Sequence, residues 1–262
     1  MTKFPVYVID AFTEKVFGGN PAAVCPLEEW PSDEQMQMIA REHNLSETAF
    51  FVKRADGAYD LRWFTPEIEV DLCGHATLAS AFVIFNYLDP ARASLPFVTR
   101  KSGTLRVERD GDKLAMDLPA WRPAPVSAPD DLLKGLGGKP REVLKSRDYF
   151  VVYESEAEVR LLNPDMNLLT KLDCLGIIVT AAGDECDFVS RFFAPGAGVP
   201  EDPVTGSAHC TLIPYWSERL GKRRMHARQV SARGGELFCE DLGERVKLSG
   251  HAARYSEGFL YL

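Results

Sequence analysis

The amino-acid sequence predicts an α+β protein built from two similar halves, and three spacings carry that prediction. The strand ends RWFTP (62–66) and RFFAP (191–195) set Phe64 and Phe193 129 positions apart. The glycine corners CGHA (73–76) and TGSA (205–208) set Gly74 and Gly206 132 apart. The stretches SGTLRVERDGDKLAMDL and GGELFCEDLGERVKLSG align Gly103 with Gly235, again 132 apart. In a chain of 262 residues these offsets are close to half the length and occur in the same order, as a duplicated unit requires. Upstream, SDEQMQMIAREHN leading into LSETAFFV matches NPDMNLLTKLD leading into CLGIIVT, which aligns Val52 with Val179, 127 apart.

Each half opens with a helix and continues into apolar or alternating strands, AFFVKR and YDLRWF in the first. The glycine corner then starts an apolar helix, ATLASAFVIFNYL in the first half and SAHCTLIPYWSERL in the second. Few polar positions interrupt either helix, as expected of a helix wrapped by sheet on most sides. A hairpin follows, with Asp110-Gly111 as a turn in the first half. The Pro-rich LPAWRPAPVSAP (118–129) reads as the linker, so the expected halves are 1–117 and 118–262, and the last strand GFLYL is expected to pack back near the first half. A pseudo-twofold relation brings with it the expectation of a cleft between the halves.

Composition excludes several classes. A formal net charge of −8, with no clustered Lys and Arg, argues against nucleic acid. The longest apolar run, LASAFVIF, is too short to span a bilayer, and Asp10 interrupts any leader-like segment. Six cysteines without a CxxC pair point to reduced thiols and to neither a zinc knuckle nor a redox motif. A soluble, cytoplasmic protein without a metal is the expectation.

A strand ending in a glycine loop that opens a helix directs unpaired N–H groups and the positive end of the helix dipole outward, which suits an anion. Gly74 with His75, and Gly206 with Ser207, are therefore candidates to hold one small carboxylate. Equally, the glycines serve φ > 0 turns while Asp202 and Ser207 cap a helix. Glu47, between a capping stretch and an apolar strand, is the outstanding general acid/base, poor solvation raising its pKa; the alternative is a half-buried residue completing a helix end. His75 is read as a hydrogen-bonding or proton-passing partner or as a structural histidine, and Asp202 as an orienting or a capping group. Cys73 is either a thiolate at a helix start or apolar filling. A two-thiol racemase needs a second cysteine at the other corner, where residues 202–207 read DPVTGS and Cys210 lies a turn inside the helix.

The segments VIDAFTEKVFGGNPAAV, NLSETAFF, RWFTPEIEVDLCGHATLASA and FAPGAGVPEDPVTGSAH together resemble the PhzF family of phenazine-biosynthesis-like isomerases, related in fold to diaminopimelate epimerase. The resemblance covers nearly the whole chain. It implies two halves, each a β-barrel-like sheet wrapped around a central helix, with the active site between them. It further implies that Glu47 of the SET motif transfers the proton, that His75 and Asp202 are its polar partners, and that no cofactor is needed. The family reaction it brings with it is isomerisation of a dihydro-hydroxyanthranilate by moving a proton between carbons. Asn20, Gly74, Gly206 and Ser207 are the expected substrate contacts, the substrate being a small carboxylate, and a homodimer is implied. Two other readings stand beside this one: a racemase or epimerase using Cys73, and a non-catalytic carboxylate-binding protein of the same fold.

Overall fold

The structure, a computed structural model, describes residues 3–262. Its chain divides into two compact units, one running through Leu118 and taking back Ser249–Leu262, the other Pro119–Leu248.

The first unit starts with two strands that the sequence pattern did not single out, β1 (Lys3–Ala11) and β2 (Asn20–Leu27), paired antiparallel from Tyr7 opposite Val24 to Ala11 opposite Asn20. Gly19 closes the loop between them at φ +60°, where a Cβ would stand 2.1 Å from the Ala11 carbonyl oxygen, so only glycine fits. Helix α1 (Asp33–His43) carries a capping box, Ser32 and Gln35 each satisfying the other's backbone N–H, and buries Met36, Ile39 and Ala40 at helical spacing. Asn44 ends it in the left-handed region. The chain then enters β3 (Glu47–Lys53), parallel to β2, followed by antiparallel β4 (Tyr59–Phe64) and the short β5 (Glu69–Val70).

Helix α2 (Gly74–Val83) follows, with every residue except Phe82 buried, and runs into a π-helical turn at Ile84–Leu88. It packs on β1, β2, β3 and the returning C-terminal strand, which makes it the central helix of its unit. Its two hydroxyls survive burial by bonding back one turn, Thr77 Oγ1 to Cys73 O at 2.6 Å and Ser80 Oγ to Ala76 O at 2.7 Å. Strands β6 (Ser94–Thr99), β7 (Thr104–Asp110) and β8 (Lys113–Pro119) complete the run, the β7–β8 hairpin turning at Gly111 and Asp112, one residue beyond the expected Asp110-Gly111, because Asp110 pairs with Lys113.

In the second unit β9 (Ala124–Pro125) pairs with β10 (Glu142–Lys145) after helix α3 (Asp130–Leu136). Strand β11 (Tyr149–Val152) then leads through α4 (Glu156–Leu161) and α5 (Met166–Leu169) to β12 (Ile177–Ala182), parallel to β11. The helix expected over NPDMNLLTKLD is only the single turn of α5, capped by Asp165 through Asn167 N–H and ended at Thr170. Strands β13 (Phe188–Ala194) and β14 (Val199–Asp202) precede α6 (His209–Leu220), and β15 (Arg224–Gln229), β16 (Gly235–Asp241) and β17 (Arg245–Gly250) follow.

Pro214 sits inside α6 and supplies no N–H to the carbonyl of Cys210. Trp121 of the Pro-rich segment donates its own N–H to that carbonyl at 2.8 Å. The segment is thus a backbone partner for the central helix as well as a connection.

Strand β18 (Ala252–Tyr261) lies antiparallel along β1, from Lys3 opposite Tyr261 to Ala11 opposite Ala252. Residues 249–262 therefore group with the first unit, as expected for GFLYL, and the boundary at 118–262 is drawn back to Leu248, because β1 pairs with β2 on one edge and needs a strand on the other. No helix among the described residues is long and apolar enough to cross a membrane.

Candidate active site

Parallel pairing sets Glu47, the first residue of β3, beside Ala22 of β2, so Asn20 and Glu47 stand at the same end of the two strands. The first turn of α2 meets them there. His75 Nε2 lies 3.2 Å from Glu47 Oε2, and His75 Nδ1 lies 3.1 Å from Asn20 Nδ2 and 3.5 Å from Cys73 Sγ. The His75–Glu47 approach has ion-pair distance but lies outside hydrogen-bond angles, a looseness common before substrate arrives. Among the described residues no acceptor meets the backbone N–H groups of Gly74, His75 and Ala76, the helix-start donors an anion uses.

Burial grades the group. Asn20 is 0 % and His75 2 % exposed, whereas 15 % of the Glu47 side chain reaches solvent. Burial pushes the His75 imidazole down to about 3, so the ring is neutral at neutral pH and Glu47 faces no imidazolium. Ligand atoms of Glu47, Cys73 and His75 lie within 4.8 Å of one another, the one three-donor cluster among the described residues. A metal there would draw on the same atoms that contact each other.

The second unit's corner is built differently. Asp202, at the end of β14, accepts the Thr205 hydroxyl at 2.5 Å. Gln229 ties the turn from β15, its Nε2 donating to Asp202 O at 2.8 Å and its Oε1 accepting from Thr205 N–H at 2.8 Å. Residues 206–208 form a tight turn, His209 N–H donating to Gly206 O and Cys210 N–H to Ser207 O, both at 3.1 Å. The α-helix starts only at His209, so Ser207 is not its cap, and the Asp202 carboxylate is engaged by a side chain. Arg147 Nη2 donates to Ser207 Oγ at 3.3 Å, with its guanidinium over the Trp121 ring and a contact to Asp148.

The structure brings Asn20, Glu47, Gly74 and His75 into one group in the first unit, with Cys73 beside them. Asp202, Gly206 and Ser207 stand at the corner of the second. Asn20 is buried, and its amide faces the His75 ring 55 positions away. Thr205, Gln229 and Arg147 were missed. Nothing local marks Gln229 in HARQVS, and its place follows only from β15 lying parallel to β13 with Ser190 opposite Gln229.

Strand register also corrects the upstream alignment. Thr48 pairs with Phe64 and Ile177 with Phe193, so Thr48 corresponds to Ile177, an offset of 129 and not the 127 read from Val52 and Val179. The counterpart of Glu47 is therefore Gly176. A Cβ at Gly176 would lie 2.1 Å from Phe192 Cζ, so that ring excludes any side chain.

The family model for phenazine biosynthesis-like proteins matches residues 9–258. The chain belongs to this family of isomerases. An uncharacterised isomerase of Pseudomonas aeruginosa is 56% identical over 257 residues, covering 98% of each chain. The crystal structure of a PhzF-family phenazine biosynthesis protein from Enterococcus faecalis superposes with a TM-score of 0.95 at 48% identity, covering 100% of both chains. A probable proline racemase from Agrobacterium radiobacter shares the fold alone, at 9% identity and TM-score 0.69 over 99% of this chain and 93% of that one. The PhzF-family protein is thus an α+β isomerase on a racemase-like scaffold of two similarly built units.

Proposed function

We propose that the protein moves a proton between carbons of a small carboxylate, cyclic or unsaturated, with Glu47 as the only general acid/base and without a cofactor. The observation that supports this most is the Glu47 carboxylate itself. It is partly open to solvent at the start of β3 and flanked by a neutral buried imidazole. A substrate carbon activated by conjugation to a carbonyl or carboxylate loses its proton to Glu47. The electron pair delocalises over the conjugated system, and the carboxylic acid returns the proton to another carbon on the same face, so charge and protons balance. The N–H groups of Gly74 and His75 hold the substrate carboxylate at the start of α2.

A racemase reading centred on Cys73 draws on the 3.5 Å contact between its sulfur and His75 Nδ1. It needs a second base, and the residue matching Cys73 at the other corner is Thr205. Cys210 is buried with its thiol pushed up to about 12, which removes it as a thiolate.

Screening cyclic and unsaturated carboxylic acids for deuterium uptake from solvent identifies a substrate. Glu47→Gln and Cys73→Ala then separate the readings. Loss of exchange in the first with retention in the second supports the Glu47 mechanism, and the reverse pattern overturns it.

A further inference from the structure

We propose that Asn20 is a positioning residue that sets the tautomer of His75, holding Nδ1 bare and the proton on Nε2, where it faces Glu47. Asn20 Nδ2 stands 3.1 Å from His75 Nδ1, and both residues are buried. An amide nitrogen only donates, so the ring nitrogen it meets must accept. The Cys73 sulfur lies 3.5 Å from the same nitrogen, a separation at which a thiol hydrogen can share the bare Nδ1. A neutral imidazole with an accepting Nδ1 carries its hydrogen on Nε2, the atom 3.2 Å from Glu47 Oε2. That hydrogen faces Glu47 Oε2, at a distance that a small rotation of either side chain turns into a hydrogen bond.

The placement of Asn20 is built by the fold. Gly19 at φ +60° delivers the chain into β2 hard against the Ala11 carbonyl, and Asn20 is the next residue, paired with Ala11. The second unit holds its buried histidine in the other form. His209 Nδ1 lies 2.8 Å from the Thr205 carbonyl, an acceptor, and so carries the hydrogen there. The two histidines are thus internal references of opposite tautomer.

The test is long-range proton–nitrogen NMR on nitrogen-15-labelled protein, with His75 assigned by its loss in His75→Gln and His209 in His209→Gln. The expected result is an unprotonated Nδ1 and a protonated Nε2 for His75, with the reverse for His209. A proton on His75 Nδ1 in the wild type overturns the proposal. Asn20→Asp replaces the donor with an acceptor of the same shape and is expected to put a proton on Nδ1; a Nδ1 that stays bare overturns the role of Asn20. If that variant does not fold, Asn20→Ala is read in the same way, a protonated Nδ1 population being expected and its absence being the overturning result.

The effect on turnover rests on the Glu47 reading, whereas the tautomer does not. With an acid that the wild type deuterates, Asn20→Asp is expected to lose about 10- to 100-fold in kcat with KM little changed, as when the partner orienting a functional imidazole is removed. If Glu47→Gln keeps its activity while the NMR result stands, the chemistry has been misassigned and the tautomer has not.

Discussion

The corners of the two units share a frame and differ in what they carry. Outside the corners the match is close. Arg62 forms a two-pronged pair with Glu69 at 2.7 and 2.8 Å beside the Phe64 ring, and Arg191 does the same with Glu201 at 2.7 and 2.9 Å beside Phe193. At the corners, Thr77 bonds back to the Cys73 carbonyl, and His209, in the matching place, bonds back to the Thr205 carbonyl. His75, which contacts Glu47, has the half-buried Ser207 as its counterpart, and Glu47 has the bare Gly176. Duplication kept the scaffold twice and a titratable carboxylate at the strand start once, which suits a reaction run by a single acid/base.

The largest expected effect tests that asymmetry. Glu47→Gln keeps shape and removes the proton, and kcat for deuterium exchange should drop about 100-fold or more, with substrate affinity much less changed. A loss under about 10-fold would place the base elsewhere. Next comes the counterpart: Gly176→Ala sets a methyl against Phe192 and should lower unfolding stability by about 1–3 kcal/mol, measured by urea denaturation. An unchanged midpoint would show that Phe192 swings away and that the glycine is not enforced by packing.

Gln229→Leu leaves Thr205 N–H and the Asp202 carbonyl without their buried partner and should cost about 2 kcal/mol, with Asp202 losing its fixed setting. Acid provides a graded test of both corners. Burial holds His75 at about 3 and His209 at about 4, while both titrate near 6.5 when unfolded. The unfolded chain therefore binds more protons below about pH 6.5, so this contribution to stability is complete above that pH and is lost on acidification, by up to about 1.4 kcal/mol per pH unit for each histidine. His209→Gln should show a shallower decline than wild type between pH 6.5 and 4.5; parallel curves would mean that the ring is protonated in the folded state. Cys73→Ala is expected to give the smallest change, within a few-fold in exchange rate, and a collapse of activity would return the thiol to the mechanism.

Much of this was legible in the residues because it is local. SDEQMQMIAREHN reads as a helix, the apolar run at 76–83, broken only by Thr77 and Ser80, marks a helix buried on most sides, and Glu47 and His75 stand in short motifs whose chemistry is readable in place. The β1–β2 hairpin was less legible, since its loop depends on non-glycine residues at positive φ, Phe12 and Phe17, that no turn rule anticipates.

By itself the sequence determined the α+β class, the duplication, the family and the identity of the acid/base candidate, because spacing and residue type suffice for these. Only the tertiary structure decided that the duplicate carries Gly176 where the first unit has Glu47, in what register β18 runs along β1, and that the Asn20 amide lies against the His75 ring. Strand pattern repeats every two residues, so a shift from 129 to 127 leaves alternation intact and would have set Glu47 against Cys174. The ladder hydrogen bonds remove that ambiguity. Packing of α2 on β2 brings together side chains 55 positions apart, a contact that no local pattern encodes.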